Sequence, residues 1–165
     1  MAFVLSCTLS DRIAAIGTVA AAHELPWSWC QDNRPMPLIA FHGTADPLVP
    51  YNGGRLWASS IMFPSAPTWA ANWARRNRCG PNAVESVVAE GVTRREYTDC
   101  IEHAGVVLYT IEGGGRSWPG GRAMPKWIVG STSSSIDATR EMWTFFRDHP
   151  LPTKAAKPQP RSMSK

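Results

Sequence analysis

Two stretches of this chain are apolar almost without interruption for the length of a strand and then enter a turn marked by glycine or aspartate. Residues 37–41 lead into His42-Gly43-Thr44-Ala45-Asp46-Pro47, and residues 105–111, containing VVLYTI, lead into Gly113-Gly114-Gly115-Arg116. A strand with polar alternation has one wet face. A continuous apolar run requires cover on both faces, as in a parallel sheet packed between helices. Residues 13–22 form a third such run, rich in Ile and Val. Open α/β sheets place function at the carboxyl ends of their strands, so the two turns are the first places to look for chemistry.

The rest of the chain supplies the connections. Residues 1–10 read as a short helix with Phe3, Leu5 and Leu9 inward. Residues 23–37 hold three prolines and two tryptophans and read as loop. Residues 52–63 are expected to be a helix with Leu56, Trp57 and Ile61 inward. Residues 67–79 form a stronger candidate, with Pro67 in the first turn and Trp69, Ala70 and Trp73 on one face. Residues 84–89 and 92–98 flank Glu90-Gly91 and read as a hairpin. Residues 135–147 read as a helix capped by Ser134 or Ser135, with Ile136, Met142, Trp143 and Phe146 inward, ended by Pro150 and Pro152. The order is that of an α/β fold with right-handed crossovers. Three parallel strands alone would leave sheet edge and face exposed, so the sheet is expected to be part of a larger one and prone to self-association through residues 13–19.

Charge narrows the partners. Four of the 17 basic residues, Lys154, Lys157, Arg161 and Lys165, lie in the last fifteen positions. The remaining 13 balance the 13 acids of residues 1–150. A basic face for nucleic acid is therefore not expected, and residues 151–165 read as a solvated, disordered tail. No apolar run approaches the ~20 residues of a membrane span. The start, MAFVLSC, has no basic region and is a poor signal peptide. Cys7, Cys30, Cys79 and Cys100 show no metal-ligand spacing, and no metal or other cofactor is expected. Their even number permits two disulfides or four buried thiols, and spacing does not choose.

Three features carry candidate chemistry. Asp46 ends a strand and either orients a histidine or simply forms its turn. The segment from Gly113 to Gly121 has five glycines, which serve close approach to a ligand or another backbone, or a surface loop. Trp118 within that segment and Trp127 just after it suit an apolar substrate, whereas Trp69, Trp73 and Trp143 have the spacing of core residues. None of His23, His42, His103 and His149 sits in a loop following the last strand, where a base would be expected. Ser117, or His42 or His103 near Asp46, is a weak substitute site.

Taken in order, FHGTADPLVPYNGG, the Trp-rich helix ending at Cys79, VVLYTIEGGGRSWPGG and SSSIDATREMWTFF resemble the polyhydroxybutyrate depolymerase and feruloyl-esterase-like α/β-hydrolases, a group similar to carbohydrate esterase family 1. The resemblance runs from residue 1 to about residue 150. It implies the C-terminal part of an α/β-hydrolase domain: the last three strands of the sheet, flanking helices and a small hairpin. It also implies a secreted serine esterase acting on polyester, feruloyl or acetyl esters. Asp46 matches the triad acid, and Gly114, Gly115 and Trp118 match the substrate-facing turn. The resemblance pairs Cys79 with Cys100 and Cys7 with Cys30; closing the former loop stabilises by roughly 3 kcal/mol.

Two departures accompany that resemblance. The family's nucleophile elbow ends in a Met that matches Met1, so the serine is expected to lie before this chain. The family's histidine position holds Arg116. A triad histidine must accept and return a proton, and a guanidinium has no acceptor nitrogen. The chain is thus expected to be inactive alone. The alternatives are a non-catalytic pseudoenzyme or polyester- or carbohydrate-binding module, and a gene fragment without independent function.

Overall fold

The computed structural model describes residues 1–21, 23, 26–30, 34–55 and 62–152. Its centre is a five-stranded mixed sheet. Strands β1 (Ile16–Val19), β2 (Leu38–Gly43) and β7 (Val106–Ile111) run parallel, in the order β1-β2-β7. Beyond β7 the sheet continues antiparallel through β6 (Val92–Tyr97) to β5 (Val84–Ala89). All six residues of β2 are buried, as the unbroken apolar run requires of a central strand flanked on both edges and both faces.

Alternation along β2 and β7 divides the core. Leu38, Ala40, Val106 and Leu108 face one side, against α1 (Ala2–Thr8) and α2 (Ala66–Arg76). Ile39, Phe41, Val107, Tyr109 and Ile111 face the other, against α4 (Ala138–Asp148). The result is a three-layer helix–sheet–helix arrangement. Helix α2 starts as its sequence demands: the Ser65 hydroxyl accepts from the Thr68 amide, and a proline occupies the first turn. Its inner face is Trp69, Ala70, Trp73 and Ala74. At its end lies buried Asn77, whose Oδ1 accepts from the Met36 amide at 3.0 Å. Its Nδ2 donates to the Met36 and Ala104 carbonyls, both at 2.8 Å. One side chain thereby supplies the backbone groups of two strand entrances.

Both disulfides are formed. Cys7–Cys30 ties α1 to the segment after β1, and Cys79–Cys100 ties the end of α2 to the β6–β7 connection. The pairing is the one the resemblance implied.

Several local expectations give way to packing. The hairpin is not a separate appendage: β6 pairs along the whole of β7, Val92 beside Ile111 through Tyr97 beside Val106. Without it β7 would be an open edge. Residues 52–63 do not start as a helix. Gly53 and Gly54 take φ of +77° and +117°, outside helical space. The short strands β3 (Gly54–Arg55) and β4 (Met62–Phe63) pair antiparallel; residues 56–61 lie outside the described residues. The third apolar run is a strand only over β1. In α1 the buried residues are Phe3, Ser6 and Cys7, while Leu5 and Leu9 are half-buried. Helix α4 is capped by Asp137, not by a serine, and buries Ala138, Met142 and Phe145. That i, i+4, i+7 stripe leaves Trp143 outside, 70% exposed. The expected tail falls beyond the described residues from position 153 onward.

Candidate functional site

The turns after β2 and β7 meet because those strands are parallel neighbours with Gly43 beside Ile111. The backbones are sewn together: the Thr44 amide donates to the Ile111 carbonyl and the Ala45 amide to the Gly114 carbonyl, each at 2.9 Å. The Gly113 amide donates to Thr44 Oγ1 at 2.8 Å. Glycine is required here by space. A Cβ on Gly43 would lie 2.1 Å from the Gly114 carbonyl oxygen, and one on Gly115 would lie 2.1 Å from the Val129 oxygen. Gly43 and Gly115 therefore serve approach of backbone to backbone, one of the uses the sequence left open for the glycine turn, whereas a Cβ on Gly114 would meet the Ile111 side chain at 2.7 Å.

Asp46 stands at this junction with its side chain fully buried. Oδ1 accepts from the amides of Leu48 at 2.8 Å and Val49 at 2.9 Å, an Asx arrangement that fixes the turn. Oδ2 faces Arg116 Nη1 at 3.6 Å and His42 Nε2 at 3.7 Å. Both separations are too long for a hydrogen bond, so the guanidinium is held by Coulomb attraction alone, and neither Oδ2 nor Nη1 has a hydrogen-bond partner among the described residues. His42 Nε2 instead lies 2.9 Å from the Val49 carbonyl oxygen, so the neutral ring carries its proton on Nε2 and donates it there. Burial pushes the His42 pKa down. The Val49 bond and the Asp46 charge oppose this, and the Arg116 charge adds to it.

The two turns thus bring Asp46, Arg116 and His42 together. The other sequence candidates fall elsewhere. Ser117 is buried and donates its hydroxyl to the Ser131 carbonyl at 3.0 Å, which commits it. His103 is exposed and precedes β7, at the opposite end of the parallel strands from Asp46. Trp118 is 45% exposed and donates from Nε1 to Thr139 Oγ1 at 3.0 Å, which ties the glycine turn to the start of α4. Trp127, on α3 (Lys126–Val129), is 87% exposed. The sequence reading missed two supports of this end of the sheet. Tyr51 OH lies 2.8 Å from Thr110 Oγ1, and the Arg116 amide bonds to the Val129 carbonyl. Neither has a local signature, because each joins residues brought together only by the fold. Among the described residues no group of three or more His, Cys, Asp or Glu side chains is placed to hold a metal ion, and no helix is long and apolar enough to cross a membrane.

No family model matches the chain. Among curated proteins it is similar to feruloyl esterase B of Piromyces equi, 32% identical over 117 residues, covering 67% of this chain and 22% of that protein. It is also similar to the Nocardia uniformis subsp. tsuyamanensis protein named "Putative esterase NocK", 28% identical over 141 residues, covering 73% of this chain and 40% of that one. The chain therefore spans about a fifth and two fifths of the length of these relatives. Both similarities are to esterases.

Proposed function

We propose that the chain carries the acid-bearing strand end of a carboxylic ester hydrolase domain of the polyhydroxybutyrate depolymerase and feruloyl esterase type, and that it does not itself catalyse acyl transfer. Asp46 takes the place of the triad acid and Arg116 that of the histidine. The observation that carries this reading is the Arg116 guanidinium 3.6 Å from the buried Asp46 carboxylate. In a working triad the group facing that carboxylate is an imidazole, which takes the nucleophile's proton and returns it to the leaving group. A guanidinium has five donors and no acceptor. Facing Asp46 it neutralises a buried charge and braces the turn, but it has no lone pair with which to take a proton. His42 does not replace it, since its Nε2–H is engaged by Val49.

Similarity to esterases supports an ester substrate for the complete domain: a polyhydroxyalkanoate-type polyester, or a feruloyl or acetyl ester. Two disulfides support an oxidising, extracellular setting. The outer edge of β1 and the exposed valines of β5 support self-association through the sheet. A second reading, a non-catalytic module binding polyester or carbohydrate, is favoured by Trp118 and Trp127, which stand exposed beside the glycine turn.

The test is p-nitrophenyl acetate hydrolysis by the purified chain. Turnover is expected at background, and turnover abolished by a serine-directed phosphonate would refute the proposal. Retention on cellulose, xylan or polyester particles, lost on replacing Trp118 and Trp127 by Ala, would favour the second reading.

A further inference from the structure

Between Glu112 and Asp137 the chain has no acid and three cations, Arg116, Arg122 and Lys126. Arg116 is turned toward Asp46. The other two lie in a loop, residues 121–128, in which every residue is exposed. Three side chains of that loop, Met124, Trp127 and Ile128, are large and apolar, and Trp127 is 87% exposed. Packing within the chain does not account for them.

The loop stands on a fixed base. On one side the Gly120 amide donates to the Ser133 carbonyl at 2.8 Å and the Ala138 amide to the Pro119 carbonyl at 3.1 Å. On the other, the Gly115 amide donates to the Ser131 carbonyl at 2.8 Å, and Val129 is buried. The Gly130 amide closes α3 onto the Lys126 carbonyl at 2.8 Å. A surface displayed from a held base loses less freedom on docking than one that must first be ordered.

Two features of the loop choose its partner. A neutral apolar surface would suit Met124, Trp127 and Ile128, but Arg122 and Lys126 would gain nothing from it and would lose hydration. Neither cation has an ion pair among the described residues. A bilayer with anionic headgroups suits both kinds of side chain. Tryptophan favours the boundary between hydrocarbon and headgroups, and each Lys or Arg near the headgroups gains from the negative surface potential. The other exposed apolar groups lack this pairing. Val84, Val87 and Val88 share β5 with Glu85, and Trp143 shares α4 with Glu141 and Asp148.

We propose that residues 121–128 dock the chain on an anionic lipid bilayer, with Met124, Trp127 and Ile128 in the headgroup region and Arg122 and Lys126 against the lipid phosphates. The loop lies on the bilayer and does not cross it. The docking uses neither Asp46 nor Arg116, so it stands or falls separately from the ester hydrolase reading.

The experiment is co-sedimentation of the purified chain with vesicles of phosphatidylcholine alone and of phosphatidylcholine mixed equally with phosphatidylglycerol, at low and at high salt. Binding to the anionic vesicles is expected to be stronger by at least about tenfold and to weaken at high salt. Trp127→Ala, and Arg122→Gln combined with Lys126→Gln, should each weaken it by at least about fivefold, while Trp143→Ala leaves it unchanged. Lys154, Lys157, Arg161 and Lys165 also attract anionic vesicles, so Trp127→Ala is repeated with all four replaced by Gln, and its effect should persist. The wild-type comparison of the two vesicles decides the question independently of any variant's folding. Absence of sedimentation, equal binding to both vesicles, or an equal loss from Trp143→Ala and Trp127→Ala would overturn the proposal. So would disappearance of the Trp127→Ala effect once those four residues are replaced. Stronger retention on neutral polyester or cellulose particles than on anionic vesicles would also overturn it and return Trp127 to the second reading.

Discussion

At the scale of single residues, Asp46 does two jobs with two oxygens. Oδ1 holds the turn by accepting two amides, and Oδ2 balances the Arg116 charge. The two roles separate by mutation. Asp46→Ala leaves the buried Val49 amide and the part-buried Leu48 amide unpaired and should cost about 2–3 kcal/mol of unfolding free energy. Asp46→Asn keeps an acceptor for those amides and loses only the charge, so about 1 kcal/mol is expected. Urea denaturation of the three proteins checks both values. Equal losses would mean that the charge, and not the Asx turn, holds this corner. The importance of Asp46 was legible from its place after a strand. The burial of its carboxylate against a guanidinium was not legible, since 70 residues separate the two partners and no local pattern joins them.

At the scale of elements, close approach of the two strand-end turns depends on the absence of side chains. Gly43→Ala would place a methyl 2.1 Å from the Gly114 carbonyl oxygen. The neighbour is backbone and has no rotamer to change, so a loss of at least about 3 kcal/mol is expected, the upper end of overpacking costs, read as a lowered melting temperature. Gly113, with nothing within 4 Å of its would-be Cβ, pays only for its φ of +64°; Gly113→Asn should cost well under half as much. The Cys79–Cys100 bond ties α2 to the β6–β7 connection across 21 positions. Its double Ser variant should lose roughly 3 kcal/mol by releasing that loop in the unfolded chain, measured by urea denaturation under non-reducing conditions. A loss below about 1 kcal/mol would show that Asn77, which donates to the Ala104 carbonyl nearby, already holds this junction. The helix expected over residues 52–63 shows how element reading fails. Apolar spacing suggested a helix, but two adjacent glycines with positive φ break it at the start.

At the scale of the whole molecule, stability should depend on pH through His42. Its folded pKa is lowered, chiefly by burial. At a pH between the folded value and the ordinary value near 6.5, the unfolded chain therefore holds more protons than the folded one. Stability is then full above about pH 6.5 and falls as the pH drops below it. Denaturation midpoints between pH 7.5 and 5 should show this decline, and His42→Asn should flatten it. An unchanged slope in the variant would assign the effect to other groups. The three-layer packing also explains Trp143. A helix buries whichever stripe the sheet offers, and α4 meets the sheet through Ala138, Met142 and Phe145. A large apolar residue off that stripe stays outside.

What the sequence determined by itself was the class of the fold and the position of its punctuation. Unbroken apolar runs required a covered parallel sheet, and periodicity placed α2, α4 and the hairpin. Glycine and proline placed the turns at the strand ends. These signals are local, because backbone conformation and one-sided burial are settled within a few neighbouring residues. Only the tertiary structure decided that the hairpin extends the sheet beyond β7, that α4 turns Trp143 outward, that Ser117 is spent on the Ser131 carbonyl, and that Tyr51 meets Thr110 at the strand ends. Each of those depends on atoms distant in the chain meeting at ångström distances. Packing selects such meetings from many that the same local patterns would allow.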